Sequence, residues 1–241
     1  MSPDKIHDLE YLRTEVLPEL EDAIIFSIFK RSNYKANKPI YTKGSIAIPS
    51  FNGTYLDFLL KNTEMELTQA GKYENPNKLP FTAELASEII KGVKIDSPII
   101  QNDINMNPRI KSMYIESIPI FCEGGDDNKH YASAMWDIRI LKAISERVHT
   151  GFFVAESKFT DDSGEYSNLA MAGDKNAIIQ KLTNNDVEEM IGNRVKEKGE
   201  FHKVDPDFVA GLYANHIIPL TKELQVKYLL LRGKEVASGM M

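Results

Sequence analysis

Thr221 and Gln225 stand four residues apart in the run Ile217-Ile218-Pro219-Leu220-Thr221-Lys222-Glu223-Leu224-Gln225-Val226-Lys227-Tyr228-Leu229-Leu230. That spacing puts both side chains on one face of a helix. Both are uncharged hydrogen-bonding groups beside an apolar stripe, so they serve either a buried network or a ligand site. Arg147 and Lys158 are eleven residues apart. One continuous helix would place them on a shared face, about 16 Å apart along the axis at ~1.5 Å per residue. Two long cationic side chains can then converge on a small anion between them. Asn184 and Glu188 repeat the spacing of four, and Arg13 adjoins Leu12 three residues before Val16, facing inward or sideways. Each group also has a plainer use. Arg147 and Lys158 suit a solvated face, and Gln225 a surface. Asn184 suits a helix cap, with Glu188 near the positive helix end. Thr221 suits a bond back to the carbonyl of Ile217.

Other chemistries have little support. His7, His130, His149, His202 and His216 are scattered, Cys122 is the only cysteine, and no His-Glu-x-x-His or Gly-x-Ser-x-Gly is present. No Cys/His or carboxylate cluster has metal-ligand spacing, so neither a metal site nor a nucleophile is expected. Gly124-Gly125-Asp126-Asp127 lacks the Gly-Lys-Ser/Thr ending of a phosphate loop.

The elements that must hold these residues are mostly helical, with few convincing strands. Leu9, Leu12, Val16, Leu20, Ile24 and Ile28 recur at helical steps from about Asp8 to Arg31, with Pro18 inside. An ordered loop is expected over 37–55, a helix over 55–72, a break over 73–82, a short helix over 84–92 and a loop over 96–107. Residues 109–121 suit a strand or a buried helix equally. One long helix is expected over 133–159. Another opens at Thr183-Asn184-Asn185-Asp186 in the manner of a capping box. The last spans about 207–232, carries Pro219 and stops at Gly233.

The chain has 241 residues, of which 42% are hydrophobic and 27% charged. That suffices for one large core, and no linker, repeat or low-complexity run divides it, so residues 1–241 are read as one domain. A net charge of -6 argues against nucleic acid as a partner, yet a few local cations can still bind an anion. A single cysteine forms no intrachain disulfide and fits a reducing compartment. No apolar run reaches membrane-spanning length, and the N-terminus has no signal core. A cytoplasmic protein is therefore expected.

Several blocks, in order, resemble the eukaryotic (fungal and plant) all-helical chorismate mutases. They are Leu20-Glu21-Asp22-Ala23-Ile24-Ile25-Phe26, Ile46-Ala47-Ile48-Pro49-Ser50-Phe51-Asn52-Gly53, Arg147-Val148-His149 with Gly151, and Phe153-Val154-Ala155-Glu156-Ser157-Lys158-Phe159. Asn184 with Val187-Glu188-Glu189 follows, then Ile218-Pro219-Leu220-Thr221-Lys222-Glu223 through Leu230. The resemblance implies an all-α helical bundle and a homodimer. It also implies conversion of chorismate to prephenate, in phenylalanine and tyrosine biosynthesis, with no covalent intermediate and no cofactor. Catalysis would then come from holding a compact conformer and stabilising developing charge. By the same resemblance Arg147 grips a substrate carboxylate and Arg13 clamps the second. Lys158 and Gln225 bond the ether oxygen, Glu188 accepts from the ring hydroxyl, and Asn184 and Thr221 orient the substrate.

Three departures stand out. The stretch from Arg13 to Glu21 is one residue longer than the family pattern and contains Pro18, so Arg13 reaches the site only if a bulge absorbs a turn of about 100°. Gln225 stands where fungal members commonly have Glu. Gly71-Lys72 and Ala132-Ser133 replace the arginine pair and Gly-Ser of the family's tyrosine and tryptophan site, so weak or absent feedback regulation is expected. Two other readings remain: a catalytically inactive relative with a binding role, and a secreted, host-directed mutase.

Overall fold

The computed structural model describes residues 8–92 and 97–237; residues 1–7, with His7, lie outside them, as does the beginning of the 96–107 loop. Among the described residues there are helices and no strand. We label them α1 (Leu9–Tyr11, Leu12–Val16 and Leu17–Arg31, one rod), α2 (Tyr55–Gln69), α3 (Asn107–Phe121), α4 (His130–His149) and α5 (Gly151–Asp161). Next come α6 (Ser163–Ala172), α7 (Lys175–Leu182), α8 (Asn185–His202) and α9 (Pro206–Leu212, Tyr213–Ile217 and Ile218–Ala237, again one rod).

Both rods contain a π-helical stretch, and each stretch ends two residues before a proline: Leu12–Val16 before Pro18 and Tyr213–Ile217 before Pro219. Proline has no N–H to donate, and its ring clashes with the carbonyl four residues earlier in an α-helix. Widening the preceding turn by one residue relieves both problems and keeps the rod continuous.

One large cluster of buried side chains runs through the helices, with members from each of α1 to α9. A smaller one joins Leu12 and Val16 of the first π stretch to Phe153 of α5. This fastens the N-terminal part of α1 against the helix that carries Lys158. At the far side of α4, Asp137 is fully buried and accepts from Arg31 Nε at 2.7 Å, Tyr114 OH at 2.6 Å and Tyr41 OH at 2.5 Å. A buried carboxylate needs such partners, and here they lock α1, α3 and α4 together.

Three sequence expectations change and one open choice is resolved. Residues 84–92 are not helical. Just ahead of the segment the backbone N–H groups of Phe81 and Thr82 go to the buried Glu64 carboxylate, and within it those of Ile89 and Ile90 go to the Gln69 carbonyl. Donors that a helix would use are thus spent on strapping this segment to α2. The 133–159 helix is two helices that meet at Thr150, where the backbone N–H and Oγ1 of Thr150 both bond Glu146 O. Gly233 does not stop the last helix: α9 passes through it, and a Cβ there would lie 2.4 Å from Ala170 Cβ. The glycine instead lets α9 approach α6. Residues 109–121 resolve to helix α3, with Pro119 in its last turn.

Candidate active site

All seven residues singled out by spacing or resemblance line one cavity that opens to solvent. Five elements supply them. Arg13 comes from the π stretch of α1, Arg147 from α4 and Lys158 from α5. Asn184 and Glu188 come from the start of α8, and Thr221 and Gln225 from α9.

Arg13 shows the bulge that the sequence required. A π turn holds one more residue than an α turn, as the longer stretch expected between Arg13 and Glu21 needs, and Arg13 lines the cavity from it. Arg147 is 3% exposed, and its Nε has no hydrogen-bond partner among the described residues. Its guanidinium carbon lies 6.0 Å from the centre of the buried Tyr213 ring. Lys158 donates from Nζ to the Leu182 carbonyl at 2.8 Å. Burial, then the charges of Arg13 and Lys222, hold its pKa below the ordinary lysine value, with Glu188 acting the other way.

The plainer readings are realised alongside the site. The Asn184 side chain caps α8 by accepting from Val187 N at 3.2 Å; the N-cap is Asn184, not Thr183. Thr221 Oγ1 donates to Ile217 O at 2.8 Å, as a helical threonine does. Gln225 is not at the surface: it is 6% exposed and lines the cavity. Close approach of α5 and α9 sets the cavity width, because a Cβ on Gly151 would lie 2.9 Å from Thr221 Cγ2.

Two further cations, which the sequence reading passed over, line the same wall. Lys222 pairs with Glu188 at 2.7 Å. Arg194 makes two 2.7 Å bonds to the fully buried Glu21. The signal for Arg194 was present: Glu188, Ile191 and Arg194 follow one another at steps of three on one helix. With those two neutralised, Arg13 and Arg147 have no carboxylate within ion-pair distance among the described residues, and Lys158 has only a carbonyl. A protein of net charge -6 therefore concentrates three uncompensated cations around one cavity. The group whose types fit that arrangement is a compact anion with more than one carboxylate. Among the described residues no cluster of His, Cys, Asp and Glu has the arrangement of a metal site.

Fold and cavity together define a class: an all-helical protein that aims guanidinium and ammonium groups at a small polyanion. Residues 132–226 match the family described as chorismate mutase type II. Chorismate mutase 2 of Petunia hybrida is 35% identical, over 95% of this chain and 94% of its own. The chorismate mutase of Saccharomyces cerevisiae is 33% identical, over 97% and 98%. The solved structure of Aro7p chorismate mutase from Candida albicans in complex with L-Trp has a TM-score of 0.91 and 34% identity, covering 95% of this chain and 93% of that one. The chain belongs to the chorismate mutase family, whose members are isomerases.

Proposed function

We propose that the cavity binds chorismate and rearranges it to prephenate. The carrying observation is the convergence of Arg13, Arg147 and Lys158, uncompensated by carboxylates, opposite the neutral amide of Gln225. Arg147 and Arg13 take the two carboxylates and hold the substrate folded. Lys158 and Gln225 donate to the ether oxygen, which gains negative charge as its C–O bond breaks. Donors fixed in advance at developing charge lower a barrier without covalent chemistry. Glu188, oriented by Lys222, accepts from the ring hydroxyl, and Asn184 and Thr221 border the side-chain carboxylate. No cofactor takes part. The placement of Arg13 favours this reading over an inactive relative, for which the clamp would be incomplete.

One continuous buried cluster favours a single domain over 1–241. A homodimer would cover exposed aromatic surface such as Phe26 and Phe201, which flank His202; sedimentation at twice the 27.3 kDa chain mass tests it. No helix of the described residues is long and apolar enough to cross a membrane, in keeping with a cytoplasmic enzyme. Weak or absent feedback is favoured by two places. Gly71 sits at φ +67 with a would-be Cβ 2.2 Å from Gly92 N, and Ser133 is buried and bonded by Asn37. The relatives weigh against it: the Candida structure holds L-Trp, and AtCM1, 31% identical, holds phenylalanine in an allosteric site.

Loss of chorismate absorbance, followed at several pH values with and without tyrosine and tryptophan, tests both levels. Conversion to prephenate supports the site, and a folded protein that leaves chorismate unchanged refutes it. A clear change of rate with either amino acid refutes the unregulated reading alone.

A further inference from the structure

α4 and α5 meet at Thr150, and the two principal cations stand on either side of that corner: Arg147 lies in the last turn of α4 and Lys158 on α5. Thr150 is fully buried. Its Oγ1 donates its single hydrogen to Glu146 O at 2.7 Å and accepts from Asn77 Nδ2 at 3.3 Å. The hydroxyl is thus fixed in direction at both ends. Asn77 arrives from the connection after α2, 73 residues away along the chain. It is 1% exposed, and its Oδ1 has no hydrogen-bond partner among the described residues. An unsatisfied buried acceptor lowers stability, and an apolar side chain of similar size would avoid that cost. What Asn77 contributes is therefore its donor, and that donor goes to the corner. The corner also touches the opposite wall, since a Cβ on Gly151 would meet Thr221 Cγ2 and Leu224 Cδ2.

We propose that Asn77 is a positioning residue for the rearrangement: through Thr150 it fixes the angle between α4 and α5, and with it the placement of Lys158 relative to Arg147. The inference rests on the reading of the cavity given above. Arg147 acts on a carboxylate present throughout the reaction, whereas Lys158 acts on charge that appears only in the transition state. Loosening the corner therefore lowers kcat and leaves KM nearly unchanged.

Steady-state kinetics and thermal unfolding of four full-length variants test this. Asn77→Leu and Thr150→Val should each lower kcat about tenfold with KM within about twofold, because misplacing a catalytic group by ~1 Å can cost up to about a hundredfold. Asn77→Leu should unfold no earlier than wild type, a result that a merely structural amide would not give. The double variant should be no slower than the slower single, and Thr150→Ser, which keeps the hydroxyl, should retain wild-type kcat. An active wild type with Asn77→Leu within twofold of it in kcat, or a double variant whose losses multiply, would overturn the role of Asn77. An inactive wild type would instead overturn the reading of the cavity.

Discussion

Lys158 on α5 and Gln225 on α9 line the same cavity, and in the proposed function both donate to one developing charge, so the chemistry of each donor can be tested separately. Lys158→Ala should lose at least about a hundredfold in turnover, since removing one donor of this kind typically costs ~3–4 kcal/mol. Turnover near that of wild type would remove Lys158 from the mechanism. Gln225 donates at any pH, whereas a glutamate must be protonated to donate. Activity should accordingly stay level from mildly acidic to neutral pH, while Gln225→Glu should lose rate as pH rises and the new carboxyl ionises. A pH–rate profile for both proteins decides this, and a wild-type rate that falls sharply toward neutrality would count against the assignment. At this scale the sequence was informative because helical spacing is local: four-residue steps paired Asn184 with Glu188 and Thr221 with Gln225. It did not say that Lys222 and Arg194 would be drawn off into ion pairs with Glu188 and Glu21. Those pairs join different helices, and no local spacing encodes them.

At the scale of elements, the π stretches are what bring chemistry into register. The extra residue between Arg13 and Glu21 would carry Arg13 away from the cavity in a plain α-helix, and the Leu12–Val16 stretch absorbs it. Deleting the exposed Glu15 together with Pro18→Ala should therefore give an ordinary α turn with Arg13 still on the cavity face. The expected KM lies within about threefold of wild type, since a π turn is one residue inserted into an α-helix. A tenfold or larger rise in KM would mean that the stretch does more than restore phase. The proline marked the site of a distortion in the sequence, but a kink and a bulge were both open there. Packing of Leu12 and Val16 on Phe153 favours the bulge, because it keeps the rod continuous on both sides. The 84–92 segment failed for the related reason that the backbone donors of Ile89 and Ile90 are taken by the Gln69 carbonyl, outside the segment.

Across the whole molecule, stability is carried by buried polar groups that join distant segments as well as by the apolar core. His149 is fully buried, accepts from Met106 N at 3.1 Å through Nε2 and meets the Ser145 carbonyl at 2.7 Å through Nδ1. That arrangement suits the neutral ring, and burial pushes its pKa down to about 4. An unfolded histidine titrates near 6.5, so the unfolded chain binds the extra proton first as pH falls. The stability in question is present above about pH 6.5 and is lost on the way down through pH 4, by about 3 kcal/mol in all. Denaturant unfolding at neutral pH and near pH 4.5 should show a smaller difference for His149→Gln than for wild type. An equal difference in the two proteins would show that His149 does not carry it.

The sequence by itself determined the helical class, most helix positions, the family resemblance and the seven candidate residues. Periodicity, caps and motif order are properties of short stretches, and the chain states them directly. Tertiary structure decided which expectations survived contact between helices. It broke the 133–159 helix at Thr150, carried α9 through Gly233 and left 84–92 without a helix. It also sorted five cavity cations into two that are paired and three that are not. Close approach, competition for backbone donors and burial of charge all depend on residues far apart in the chain, so they are settled only when the helices pack.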